Sequence, residues 1–199
     1  MCGFVGTCNL KQDISNEKEI IKNMNIKLQK RGPDEEGYFF DRNINLGHRR
    51  LIIIDKENGK QPMSVKINDI TYTIVYNGQI YNKDEIKKDL TELGYKFNGY
   101  SDTEVLLKAF IEYGKSVLNK LNGIFSFAIW NNKKRELFLA RDHFGIKPLY
   151  YTLIDGEIIF SSEIKAILSF PGIKAKIDKT GIAELFGLRS STYTRNYSI

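Results

Sequence analysis

A cysteine stands directly behind the initiator methionine in the opening "MCGFVG". Methionine aminopeptidases act when the second residue is small, and removal of Met1 would give Cys2 a thiol and a free α-amine on one residue. An α-amine has a pKa near ~7.7–8.0, so a usable fraction is unprotonated at neutral pH and can accept the thiol proton. The position therefore predicts an N-terminal nucleophile, in which one residue supplies nucleophile and base. The alternative is a small buried hydrophobe that begins an edge strand.

The histidines offer a competing base for the thiol. The chain has 2 histidines, His48 and His143. His48 lies in the strand-like "GHRRL", where a packed or hydrogen-bonded role is more common, and His143 lies in "RDHFG", which is typical of a turn. We therefore favour the α-amine over a Cys–His pair as the base.

A thiolate that attacks an amide needs hydrogen-bond donors for the developing oxyanion. In "VYNGQIYN" we expect a strand to run to Asn77, whose side-chain amide can donate, and Gly78 would let a backbone N–H approach closely. The alternative is a tight strand-to-helix turn, because Asn-Gly is a strong turn signal.

Composition limits the class of protein. With 199 residues and 42% hydrophobic content, the chain suits one domain with a sizeable core. The net charge of +6 raises the question of nucleic acid, but 30 basic residues are scattered among 24 acidic ones, which favours a solubility role and no nucleic-acid partner. Its 2 cysteines are too few for a disulfide framework or a zinc cluster. With no membrane span and no signal peptide, we expect a cytoplasmic protein without a membrane partner.

Hydrophobic patterns predict the elements that position these residues. Strand-like runs are "CGFVGT", "EGYFFD", "LGHRRLIII", "ITYTIVYN", "GIFSFAIW", "ELFLAR", "PLYYTLI" and "EIIFSS". Helices are expected over residues 17–30, after Asn82, after Ser101 and after Asp178, the middle two with capping-box spacing and with Gly94 and Gly114 as C-caps. Strands in groups and helices in pairs predict an α+β fold with largely antiparallel sheets covered by helices.

A family resemblance emerges from strings that occur in order along the chain. They are "MCGFVG", "RGPDEEGYFF", "GHRRLIIID", "GKQPM", "YNGQIYN", "YSDTEVLL", "LNGIFSFAIWN", "ARDHFGIKPLYY" and "SSEIKAIL". Together they resemble the class II glutamine amidotransferase domain of glutamine-hydrolysing asparagine synthetases. The resemblance implies a four-layer α-β-β-α sandwich of the N-terminal-nucleophile hydrolase type. It also implies hydrolysis of L-glutamine to glutamate, with ammonia passed to a second active site.

The resemblance also implies roles for individual residues. Cys2 matches the nucleophile that forms a glutamyl thioester, and Asn77 and Gly78 match the oxyanion donors. Substrate-binding positions follow, with Arg50 for the α-carboxylate, Asp102 for the α-ammonium, and Leu51 and Ile53 where the backbone lines the pocket. From the residues alone, Arg50 could be one more surface cation and Asp102 could serve only the helix dipole. No metal site is implied.

The sequence departs from the family at Gln79, where a glutamate that faces the substrate amine is more common. A carbonyl can still accept from an ammonium, but the charge is gone. We therefore expect weaker glutamine binding with the chemistry intact.

No pyrophosphate-gripping "SGGLDS"-type loop occurs in the sequence. We expect a glutaminase domain over residues 2–188, and a tail over 189–199 that is frayed or begins an absent synthetase domain. That synthetase domain is the expected partner and would carry the ATP and Mg²⁺; no cofactor is expected here. A homodimer is compatible with the sequence.

Alternative functions stay open from the sequence alone. The domain could serve an amidotransferase that amidates another carboxylate, or be a catalytically silent module because of truncation or Gln79. A basic nucleic-acid binder is a distant third, because the aromatic residues follow strand-core patterns instead of forming exposed platforms.

Overall fold

A computed structural model describes residues 1–176 and 179–188 of the chain. Within these residues it contains nine β-strands, five α-helices and one 3₁₀-helix over Gly114–Asn119. The strands are β1 Gly3–Cys8, β2 Glu35–Phe40, β3 Ile44–Arg50, β4 Met63–Ile67, β5 Ile70–Ile80, β6 Gly123–Asn131, β7 Glu136–Arg141, β8 Tyr150–Ile154 and β9 Glu157–Ser161. The helices are α1 Lys18–Ile26, α2 Lys83–Glu92, α3 Asp102–Tyr113, α4 Ile164–Ile167 and α5 Lys179–Leu188.

The strands form two antiparallel sheets. The first has the order β2-β3-β1-β9-β8, and the second has the order β4-β5-β6-β7. Strand β1 lies at the centre of the first sheet, with Gly3 opposite Arg49 of β3 and Val5 opposite Ser161 of β9. The residue before β1 is therefore held beside the end of β3.

The two sheets pack face to face, and helices cover both outer faces. The layer between them contains Phe4, Leu46 and Phe160 from the first sheet with Val75, Ala128 and Trp130 from the second. Apolar residues of α1 and α4 pack on the outer face of the first sheet, and those of α2 and α3 pack on the second. This α-β-β-α arrangement confirms the predicted α+β sandwich.

Two predicted strand ends differ from the structure. The run "LGHRRLIII" was expected to be one strand, but β3 ends at Arg50. The chain turns there because the guanidinium of Arg50 binds the carbonyl oxygens of residues 54–56, which must fold back over it. In contrast, β5 continues through Asn77 and Gly78 to Ile80, paired with β6, so the alternative of a tight turn is wrong.

The expected helix caps were partly confirmed. Oγ of Ser101 accepts a hydrogen bond from the backbone N–H of Thr103, as an N-cap should. Asn82 makes no such bond, because its side chain instead pairs with Lys120 and Asn122. Sequence patterns also missed β4 and the four-residue α4.

The last helix was expected after Asp178 and is present as α5. The tail predicted over residues 189–199 lies outside the described residues, and the domain boundary at residue 188 stays a prediction. Across residues 1–176 and 179–188, every helix is too short or too polar to cross a membrane.

Candidate active site

Cys2 lies directly before β1, the central strand of the first sheet, and is half-buried, so the alternative that it begins an edge strand is wrong. Its Sγ is 3.6 Å from the carbonyl oxygen of Leu51, to which the thiol donates. Its own carbonyl accepts a 2.9 Å hydrogen bond from Nε of Arg31. The nucleophile candidate is thus tied on one side to the segment after β3 and on the other to the segment after α1.

The surroundings of Cys2 disfavour a resting thiolate. Burial raises the pKa of the Cys2 thiol; the chain's amino terminus and Arg50 lower it, and Asp102 raises it further. Reaction therefore requires a nearby base. Arg50 and Asp102 carry opposite charges and act on the pKa of this thiol in opposite directions.

Arg50 is buried, with 4% of its surface exposed, so the alternative of a surface cation is wrong. Its guanidinium donates to Oε2 of Glu35 at 2.7 Å and to the carbonyl oxygens of Ile54, Asp55 and Lys56 at 3.0, 2.6 and 3.0 Å. Four of its N–H donor positions are thereby used within the chain.

Asp102 begins α3 and is also buried. Its Oδ2 accepts from the hydroxyl of Tyr76 at 2.8 Å and from the backbone N–H of Ile80 at 3.3 Å. Burial raises the pKa of Asp102, while the donors on Tyr76 and Ile80 and the charge of Lys83 oppose that rise. Two donors of β5 thus hold the carboxylate of Asp102 in place.

Asn77 has a buried side-chain amide whose Nδ2 has no hydrogen-bond partner among the described residues. Side chains alternate along β5, and Val75, two residues before Asn77, packs between the sheets. The side chain of Asn77 therefore faces the first sheet, which contains β1, the strand directly after Cys2. An unused buried donor is costly, so Nδ2 of Asn77 is a candidate to donate to a bound substrate.

Gly78 presents a backbone N–H at an open edge of the second sheet. It lies opposite Phe125, whose N–H and carbonyl both bond Asp142 on the far side, so this pair exchanges no ladder hydrogen bonds. The N–H of Gly78 therefore points away from β6, beyond the end of β4. A side chain at Gly78 would lie 2.7 Å from the Tyr76 ring and 2.8 Å from Cα of Phe125, so only glycine fits.

The remaining predicted positions lie around this cluster. Leu51 contributes the carbonyl beside Cys2, and Ile53 is 75% exposed in the same loop. Gln79 is exposed on β5, and its side chain makes no hydrogen bond within the described part of the chain. The structure gives no contact between Gln79 and the thiol.

Neither histidine is placed as a base. His48 is fully buried, and its Nε2 lies 3.0 Å from the carbonyl oxygen of Tyr76. Burial lowers the pKa of His48 to about 4. The packed role expected from its strand is confirmed, and His143 lies in an exposed turn as predicted.

Sequence patterns missed Tyr76 and Arg31 as parts of the site. Tyr76 follows the alternation of a core strand, and only its contact with Asp102, 26 residues away, distinguishes it from a packing residue. Arg31 lies in the quoted string "RGPDEEGYFF", which marked the region but not the role. Within the described residues, no three His, Cys, Asp or Glu side chains come together as metal ligands would.

Comparisons with known proteins give the site a context. The family model described as a glutamine amidotransferase domain matches residues 1–198 of this chain. Asparagine synthetase [glutamine-hydrolyzing] 3 of Bacillus subtilis is 44% identical over 191 residues, which cover 96% of this chain and 31% of that protein. Asparagine synthetase [glutamine-hydrolyzing] 1 of the same organism is 48% identical and is covered over 27% of its length. The chain thus spans about a third of these relatives.

Solved structures share the fold at lower identity. The glutamine phosphoribosylpyrophosphate amidotransferase of Bacillus subtilis, complexed with ADP and GMP, superposes with a TM-score of 0.71 at 22% identity, over 83% of this chain and 43% of that one. A structure described as the allosteric regulatory enzyme of purine biosynthesis gives a TM-score of 0.69 at 21% identity, over 85% of this chain and 43% of that one.

Proposed function

Because the chain belongs to the glutamine amidotransferase domain family, we propose that it hydrolyses L-glutamine to glutamate and ammonia through a thioester on Cys2. One observation carries this proposal: the Cys2 thiol lies 3.6 Å from the carbonyl oxygen of Leu51, the residue directly after the buried cation Arg50, and the buried anion Asp102 acts on the same thiol in the opposite direction. The substrate of a glutaminase carries a carboxylate and an ammonium on one carbon, so two opposite charges beside the nucleophile fit its two charged groups.

Activation of the thiol begins with removal of Met1, which is 57% exposed and so accessible to an aminopeptidase. The freed α-amine of Cys2 then accepts the thiol proton, directly or through a water. The raised pKa of the thiol makes this base necessary, and the lowered pKa of His48 leaves the α-amine as the better candidate.

The thiolate then attacks the side-chain amide carbon of glutamine. The carbonyl π electrons move to oxygen, where Nδ2 of Asn77 and the N–H of Gly78 donate to the oxyanion. When the carbonyl re-forms, the C–N bond breaks, and the α-ammonium of Cys2 gives its proton to the departing nitrogen. Water then attacks the thioester, the α-amine takes a proton from it, and glutamate leaves as the thiol is restored.

Binding of the α-carboxylate requires an exchange at Arg50. Because its guanidinium already uses four of its five N–H groups on Glu35 and three carbonyl oxygens, a substrate carboxylate that binds in bidentate fashion must replace at least one of these acceptors. Exchange of a neutral carbonyl for a carboxylate is favourable because the bond between two charged groups is stronger. Asp102, held by Tyr76, accepts the α-ammonium, and the loop carrying Leu51 and Ile53 lines the pocket.

Two relatives are named asparagine synthetases. We therefore propose that the ammonia serves ATP-dependent amidation of aspartate by a synthetase region outside this chain. ATP and Mg²⁺ belong to that region. Amidation of another carboxylate stays an alternative, because the proposed hydrolysis of glutamine does not depend on which molecule accepts the ammonia.

The proposal is tested by intact mass spectrometry before and after treatment with a diazoketone analogue of glutamine, alongside an assay of glutamate release. We expect a starting mass without methionine, one adduct on Cys2, and loss of both adduct and activity in Cys2→Ser. A processed, folded chain that takes no adduct and releases no glutamate would refute the proposal and favour the silent module.

Cys8 is an internal control for this labelling. It is 4% exposed, and burial, with Glu157 nearby, raises the pKa of its thiol to about 12. It should therefore stay unmodified. An adduct on Cys8 instead of Cys2 would show general thiol reactivity and not a glutamine pocket.

A further inference from the structure

Asp55 is a buried carboxylate that the preceding mechanism does not use. Its side chain accepts from two segments: Oδ2 from the backbone N–H of Tyr100 at 2.8 Å, and Oδ1 from the backbone N–H of Asn58 at 3.0 Å. Only 4% of Asp55 is exposed. It therefore joins the loop after β3 to the segment that leads into α3.

The backbone of Asp55 bonds a different part of the site. Its carbonyl oxygen accepts from Nη2 of Arg50 at 2.6 Å and from the N–H of Gly59 at 2.9 Å. Its φ is +48°, in the left-handed region where aspartate and asparagine are tolerated better than most residues. One residue thus contacts Arg50 through its carbonyl and, through its carboxylate, the segment two residues before Asp102.

The contact between the Asp55 side chain and the segment before α3 is close, and it involves an ionised carboxylate. Burial opposes ionisation of Asp55, but backbone donors at Tyr100, Asn58 and Ser101 together outweigh it, so the pKa of Asp55 is lowered. A side chain at Gly99 would collide with Oδ2 of Asp55, so a glycine permits the approach of the two segments.

We propose that Asp55 is a positioning residue for glutamine, fixing the spacing between Arg50 and Asp102. The proposal rests on the function proposed above. The two charged groups of the substrate are attached to one carbon, so their partners must be held at one separation. A change in that separation weakens binding of the ground state and of the transition state alike, because neither the α-carboxylate nor the α-ammonium takes part in the reaction. Its effect is on KM and not on kcat.

The test compares Asp55→Asn with the wild-type chain. Asparagine keeps the size and tolerates the positive φ, but it loses the charge and places an amide N–H₂ against backbone N–H donors. With one charged acceptor lost, we expect KM for glutamine to rise roughly five- to tenfold while kcat changes by less than about twofold.

Two labelling rates separate positioning from general loosening of the fold. The diazoketone analogue of glutamine needs both charged partners, whereas iodoacetamide needs only an accessible Cys2 thiol. In Asp55→Asn, labelling by the analogue should slow in proportion to the rise in KM, and labelling by iodoacetamide should be unchanged.

Asn131→Ala is the matched control. Asn131 is the last residue of β6; it is also buried, and its side-chain oxygen accepts from two backbone N–H groups. It lies further along β6 than Ser126, the residue opposite Asn77. It should lower the melting temperature without changing KM. If Asp55→Asn fails to fold, Asn58→Ala removes the 3.1 Å bond from its Nδ2 to Asp55 and should raise KM roughly twofold.

An unchanged KM in the folded variant, or equal slowing of both labelling reactions, would overturn the positioning role. A wild-type chain lacking glutamate release would instead count against the proposed function. The two failures are thereby distinguishable.

Discussion

The hydroxyl of Tyr76 donates a 2.8 Å hydrogen bond to Oδ2 of Asp102, joining β5 to the first residue of α3. Both residues are buried, and burial, followed by the charge of Asp102, raises the pKa of Tyr76 well above its usual value. The phenol therefore stays a donor at every physiological pH and stabilises the ionised form of Asp102.

Tyr76→Phe removes this donor and should raise the pKa of Asp102 further. An ammonium binds only the ionised carboxylate, so glutamine binding is lost as pH falls through the pKa of Asp102. In the variant that loss should begin at higher pH, with KM raised and kcat at neutral pH nearly unchanged. KM measured across the mildly acidic range checks this, and identical KM profiles for variant and wild type would refute it.

Asn77→Ala removes the unpartnered amide donor, whose role we assign to the oxyanion. We expect kcat to fall by ~10²–10³ with little change in KM, because the donor acts on the transition state. Steady-state glutamate release gives both constants. Ser126→Ala is the control, because Ser126 lies opposite Asn77 on β6 and its hydroxyl is also buried, without a hydrogen-bond partner among the described residues. A loss of kcat equal in both variants would assign the effect to packing.

Gln79→Glu places a carboxylate where the resemblance implies a second contact to the substrate ammonium. Because a hydrogen bond to a charged acceptor is stronger by about 1 kcal/mol, KM should fall roughly fivefold with kcat unchanged. Gln12→Glu makes the same charge change beyond the far end of β1 and should leave KM as it was. A large change in kcat for Gln79→Glu would contradict this role.

Glu157 makes the stability of the fold depend on pH. Burial, and then the charge of Glu17, raise the pKa of Glu157 from 4.5 to about 7. Between these values the folded chain holds a proton that the unfolded chain has released, so stability falls as pH rises through the folded pKa. Glu157→Gln should therefore raise the melting temperature above pH 7, and its advantage should diminish toward pH 4.5. Melting curves at both ends of this range test it; a difference independent of pH would argue against ionisation of Glu157.

Short sequence patterns predicted the candidate site residues. Cys2 was marked by its position, Asn77 and Gly78 by the dipeptide in "VYNGQIYN", and Ser101 by its capping role, which the structure confirms. Each of these signals depends on a few neighbouring residues. The patterns of strands and helices were equally local, and they predicted an α+β fold with antiparallel sheets, whereas the sandwich was implied by the family resemblance.

The structure corrected the predictions that depended on residues distant in the sequence. "LGHRRLIII" gave no sign that β3 ends at Arg50, because the cause is a set of carbonyl oxygens that only the folded loop brings back to the guanidinium. The continuation of β5 past Asn77 was also hidden, because pairing with β6 overrides the turn preference of Asn-Gly.

Sequence by itself thus determined which residues are candidates for nucleophile, hydrogen-bond donor and helix cap, because these roles depend on residue type and on near neighbours. Tertiary structure alone decided which charges stand beside the thiol and what holds them. Tyr76 meets Asp102 across 26 residues and Asp55 meets Tyr100 across 45, and burial of these contacts sets both their strength and their ionisation. Such pairings arise only when the sheets and helices pack, because no local pattern encodes the partner of a buried polar group.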